Sequence, residues 1–161
     1  MSFSIRIIAA LTLVTLLGVP ARTLAQAKQH TAMTPAELKW GPAPPVLPPG
    51  AQIAVLDGDP GKDGFFTLRL KFPDGYKIAP HWHPTDENIV IVVGTFMMGM
   101  GEKRNEASMH ALPQGSFTYI PKTGRHYATA KGETIVQIYG QGPFLVNYVN
   151  PADDPTTKTT K

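Results

Sequence analysis

The sequence contains no cysteine. That single absence excludes disulfide staples, thiolate metal sites, thiol nucleophiles and a lipid-anchored N-terminal cysteine together. Charge is sparse as well: Asp, Glu, Lys and Arg make up 17% of the 161 residues, and no basic cluster is longer than Lys103-Arg104. The formal charge of +3 does not alter this, because Arg6 and Arg22 lie in a leader-like segment and the remaining 13 basic residues face 12 acidic ones. Nucleic-acid binding therefore has no electrostatic support. Between Ala51 and Asn150 no stretch of ten or more residues carries a helical apolar period.

Gly and Pro, by contrast, are abundant at 15 and 16 residues, without a collagen-like repeat. Such a composition fits many short strands joined by tight turns. At the N-terminus a start carrying Arg6 leads into the uncharged run Ile7–Val19, too short to span a bilayer. Ala25-Gln26-Ala27 then offers small residues where a signal peptidase reads. Residues 1–27 are expected to be a cleaved signal peptide, with Ala25 a second cleavage site. The destination is then periplasmic or secreted, with no stable membrane anchor left. Residues 28–50 hold Pro35, Pro42, Pro44, Pro45, Pro48 and Pro49 and read as a Pro-rich arm. Within it Thr34-Pro35-Ala36-Glu37 predicts a capped helical turn through Trp40. Residues 51–150 form one domain, and the polar segment 151–161 is expected to be a flexible tail.

The domain reads as all-β. Candidate strands are 52–56, 65–72, 77–83, 88–93, 96–100, 116–120, 125–130, 134–139 and 144–149. Turn signals separate most of them, including Pro73-Asp74-Gly75, Gly94, Pro113-Gln114-Gly115, Pro121 to Gly124 and Lys131-Gly132. Eight or nine strands at this spacing suit a jelly roll or small barrel, with a sandwich as the alternative.

Four side chains suited to metal ligation sit at telling offsets. His81 and His83 are two apart and share one face of a strand, with Trp82 on the other. A corner at Thr85-Asp86 lets Glu87 lead the next strand, its parity placing Ile89, Ile91 and Val93 on the same face. His126 follows a later Pro-Gly turn and takes Ala128 and Ala130 inward with it. Three neutral nitrogens and one anionic oxygen suit a divalent Fe, Mn, Ni or Zn ion and leave positions open for a small molecule. Asp86 competes with Glu87 for the carboxylate role, since a one-residue slip exchanges them; spacing and parity favour Glu87. His110 is expected on the surface, and His30 in the arm plays no part. Phe96, Met97, Met98 and Met100 read as barrel core, with a pocket lining as the alternative. Gln137 and Tyr139 share one face of a later strand and point either to the pocket or outward.

Gly75 through Gly94 fills every fixed position of G-x5-HxH-x3-E-x6-G and resembles the first motif of the cupin superfamily. Gly115 to Ala130 resembles the second, G-x5-P-x-G-x2-H-x3-N, keeping Gly115, Pro121 and His126. It departs in having its turn glycine at 124 instead of 123, and Ala130 in place of Asn. The resemblance implies a cupin-type double-stranded β-helix, a jelly-roll barrel with His81, His83, Glu87 and His126 as metal ligands near its axis. It also makes a metal-dependent, dioxygenase-like oxidation of a small chelating organic molecule reasonable. The alternative is a non-catalytic metal or small-ligand binding or sensor cupin of the cell envelope. Strand 88–93 is apolar on both faces, so its outer side is expected to be covered, by a second copy in a homodimer or by the arm.

Overall fold

The computed structural model describes residues 29–157. The expected signal segment 1–27 lies outside the described residues. From Met33 onward the described residues form one compact unit of nine strands: β1 (Gly41–Pro42), β2 (Gln52–Asp57), β3 (Gly64–Phe72), β4 (Lys77–Trp82), β5 (Glu87–Met100), β6 (His110–Pro113), β7 (Phe117–Ile120), β8 (His126–Gly142) and β9 (Asn147–Tyr148). All pairings are antiparallel. One path runs β1-β2-β3-β8-β4-β9, while β5 joins β8 and carries β6 and β7. The sheet curls around an interior filled by Phe66, Leu68, Leu70 and Phe72 from β3, Ile89 and Ile91 from β5, and Val136 and Ile138 from β8. Each strand contributes alternate residues, as a pleated strand with one buried face must.

Two long strands make the curl. Residues 88–93 and 96–100, predicted as separate strands, are one strand β5, and 125–130 with 134–139 likewise belong to β8. Gly94 and Gly132 are bends within strands, not chain reversals. Both take positive φ, 76° and 74°, a region open chiefly to glycine. A Cβ on Gly94 would lie 2.3 Å from the Glu133 carbonyl oxygen. The pairing slips on either side of Val93, and this overturns the expected parity at one residue: Val93 is 38% exposed while Ile89 and Ile91 are buried. Because β8 bends, its first half pairs β4 and its second half pairs β3, so one strand serves both ends of the interior.

The arm contributes more regular structure than its prolines suggest. Thr34 and Glu37 form the capping box, but the turn is 3-10 and stops at Glu37. Gly41–Pro42 then pairs with Gln52–Ile53 as an edge strand, a position where the missing proline N–H costs nothing. Lys71 Nζ sits 4.7 Å over the Trp40 ring, and the hydroxyls of Tyr76 and Tyr148 donate to the carbonyls of Pro48 and Val46. Of the predicted strand 144–149 only Asn147–Tyr148 is paired, and β6 was not foreseen. Residues 151–157, expected to be flexible, form two 3-10 turns in which the Asn150 and Asp154 side chains accept backbone N–H groups.

Candidate metal centre

The end of β4, the start of β5 and the start of β8 meet at one end of the interior. His81 lies directly across from His126 in the β4–β8 register. The corner after β4 and the turn before β8 are bonded to each other: Thr123 N–H donates to the His83 carbonyl (2.8 Å) and Lys122 N–H to Asp86 Oδ1 (2.8 Å). Asp86 is thus a structural acceptor at the surface, while Glu87 points inward and is buried. Thr123 occupies the position where the motif has glycine, and it adopts a left-handed conformation at φ 64°. For a β-branched residue that is a strained state of order 1–3 kcal/mol. Glycine is displaced to 124 for a different reason: a Cβ there would lie 2.9 Å from the Pro121 carbonyl oxygen.

His81, His83, Glu87 and His126 are all buried, and one ring nitrogen from each of the three histidines lies within 4.8 Å of the others, a group that can hold a metal ion. Glu87 Oε2 stands 3.5 Å from His83 Nε2 and 3.3 Å from His126 Nε2. Each imidazole is tied from behind. His81 Nδ1 meets the Ala79 carbonyl at 2.8 Å, His83 Nδ1 the Leu145 carbonyl at 2.7 Å, and His126 Nδ1 the Gly124 carbonyl at 3.0 Å. A carbonyl oxygen can only accept, so each Nδ1 carries the proton and each Nε2 keeps a free lone pair. The Phe144 ring stacks on His83 at 4.1 Å and 19°. No sequence pattern announces the carbonyl partners, because any residue supplies a carbonyl; Phe144 could have been sought as an aromatic near the HxH pair.

The electrostatics follow from burial and crowding. His81 is held well below the usual histidine value, first by burial and then by the neighbouring His126 and His83. Burial also lowers His83. For His126 burial is outweighed by Glu87, and its value rises. Burial would raise Glu87, but the imidazoles, His83 foremost, bring it down to about 2. Even so, Glu87 Oε2 and His83 Nε2 have no hydrogen-bond partner although both are buried. Buried polar atoms without partners are uncommon, and a lone pair and a carboxylate oxygen aimed at one point fit a cation between them.

A cavity of about 460 Å³ opens on this group. Its walls come from Leu68, Leu70 and Phe72 of β3, Phe96 of β5, Ala128, Val136 and Ile138 of β8, the arm residues Pro44, Val46 and Leu47, and Phe144 and Leu145. Ala128 and Ala130 are buried as parity requires, and Phe96 and Met98 face in while Met100 faces out. Gln137 and Tyr139 lie on the outer face, where Gln137 accepts from Arg69 Nε and Tyr139 packs near Phe65. His110 is exposed on β6, and His30 is exposed too.

An antiparallel jelly-roll barrel with an HxH pair, a carboxylate and a third histidine converging at one end defines a cupin. Solved structures of similar fold include KdgF from Halomonas sp. (20% identity, TM-score 0.54, 71% of this chain and 96% of that one). Others are an RmlC-like cupin from Shewanella frigidimarina NCIMB 400 (14%, 0.55, 71% and 91%) and an acetylacetone dioxygenase from Acinetobacter johnsonii (16%, 0.61, 81% and 83%). Within that fold, the chain belongs to the family described as Domain of unknown function (DUF4437), whose profile matches residues 32–158. No curated protein matches the sequence.

Proposed function

We propose that this chain is an exported metal-dependent cupin in which His81, His83, Glu87 and His126 hold one divalent Fe, Mn, Ni or Zn ion, and that it oxidises a small chelating organic molecule in a dioxygenase-like reaction. The observation that carries the reading is the set of three Nδ1–carbonyl bonds, which leaves three lone pairs and the unpartnered Glu87 Oε2 directed at one another. A bound ion would supply Lewis acidity and, for iron, manganese or nickel, one-electron chemistry toward oxygen. The chain's own part is to keep Glu87 ionised, fix the imidazole orientations and exclude water with an apolar wall. Likeness in fold to an acetylacetone dioxygenase supports the oxidative reading. The absence of a free acid or base among the described residues lining the cavity favours the second reading, a binding or sensor cupin.

Metal analysis of tag-free protein should give about one divalent ion per chain, lost in the His81→Ala plus His83→Ala double variant. Unchanged metal content in that variant overturns the metal assignment. Oxygen uptake with β-diketones, catechols, flavonols and small keto acids separates the two roles. No turnover after reconstitution with each of the four metals leaves the binding role.

A further inference from the structure

Resting on the metal-site reading above, we propose that the site takes an uncharged or singly ionised, largely hydrocarbon molecule with its oxygen donors at one end, and excludes dicarboxylic acids and sugars. The cavity is strongly divided in character. One end holds His81, His83, Glu87 and His126, while the remainder is built from Leu, Ile, Val, Phe and Pro side chains. Among the described lining residues Asn147 is the single polar side chain outside the histidine and glutamate group, and no Lys or Arg is present.

A second carboxylate, or a ring of hydroxyls, would thus be buried against Leu68, Leu70, Phe72 and Ile138 with nothing to pair it. An unpaired polar group in such surroundings weakens binding by about ten- to a hundredfold. Size points the same way. A volume of 460 Å³ lies within the range of about 300–1,000 Å³ typical of sites for drug-sized ligands, so a three- or four-carbon acid would leave most of it wet or empty. A ring or short alkyl chain fills it and gains from every apolar contact. Ala128, two residues from His126 on the same face, leaves the room beside the histidines that such a molecule needs.

The test is competition in the wild-type protein. The neutral fluorophore N-phenyl-1-naphthylamine is bound to metal-free protein and displaced with 1-phenyl-1,3-butanedione, malonate or glucose. Displacement by the aryl diketone at concentrations at least about tenfold below those needed for malonate or glucose is expected. Equal or stronger displacement by malonate or glucose overturns the proposal, as does failure of the fluorophore to bind. Ala128→Leu, checked for folding by its melting transition, should lose fluorophore binding while its metal content stays at the wild-type level. Fluorophore binding undiminished in the folded variant also counts against it. Metal uptake, measured on aliquots of the same wild-type protein after divalent metal is added back, keeps the two readings apart. Protein that takes up no metal yet shows the expected competition refutes the metal centre alone, and metal uptake with the wrong competition order refutes the ligand class alone.

Discussion

Three imidazoles and a carboxylate packed side by side respond to acid according to which of them resists protonation. His81 and His83 are held below the ordinary histidine value near 6.5, so below that pH the unfolded chain takes up two protons there that the folded protein refuses, and stability falls. His126 has a raised value, and its contribution runs the other way: it is present below 6.5 and is lost as pH rises through the folded value. Glu87 stabilises the fold above its unfolded value of 4.5 and loses that contribution only as pH falls toward about 2. His126's contribution is already fully in place below 6.5 and adds no slope there, so metal-free protein should lose stability toward pH 5 by at most about 1.4 kcal/mol per pH unit for each of His81 and His83. Thermal melts after chelation check this, and His81→Gln should lessen the slope below pH 6.5 without abolishing it, since His83 alone is then left to resist protonation. A slope unchanged in that variant would show that the acid sensitivity lies elsewhere.

At the scale of elements, the bends in β5 and β8 do what two separate corners would otherwise do. Strand parity and the HxH spacing were legible because a period of two needs only residue identity. The continuity of β5 and β8 was not, because a glycine between apolar runs looks the same whether the chain reverses or merely bends. Register decides between them, and register depends on partners far along the chain. Val93 lost its expected inward place for that reason, as it sits beside the bend. Gln137 and Tyr139 show a related limit: parity says that two residues share a face without saying which face. The two glycines should respond differently to alanine. Gly132→Ala meets open space and bears only the left-handed cost of about 1–2 kcal/mol. Gly94→Ala must also push back the Glu133 carbonyl and should cost about 1–3 kcal/mol more. Urea denaturation ranks them, and an equal loss would mean that β8 yields freely at Glu133.

For the whole molecule, the arm and the C-terminal segment complete the barrel. Val46 is a wall of the cavity and also the acceptor for Tyr148, so arm and β9 are joined above the interior. The prolines gave no sign of the edge strand Gly41–Pro42, and which surface the arm covers depends on Tyr76 and Tyr148, which have no sequence signature as anchors. The proposed leader belongs to this scale too. N-terminal sequencing of protein from its native compartment should begin at Lys28 or Gln26; a start at Met1 would remove the export proposal.

His83 is oriented by the carbonyl of Leu145, 62 residues further along. During synthesis the HxH pair emerges well before the atom that aims its second ring. Until the C-terminal segment has folded back, that imidazole is free to turn and to present either nitrogen. The donor set is therefore finished late, after nearly the whole chain has been made. If the proposed ion is bound, the supply of ions where that last step occurs, rather than where translation begins, would govern which metal is captured.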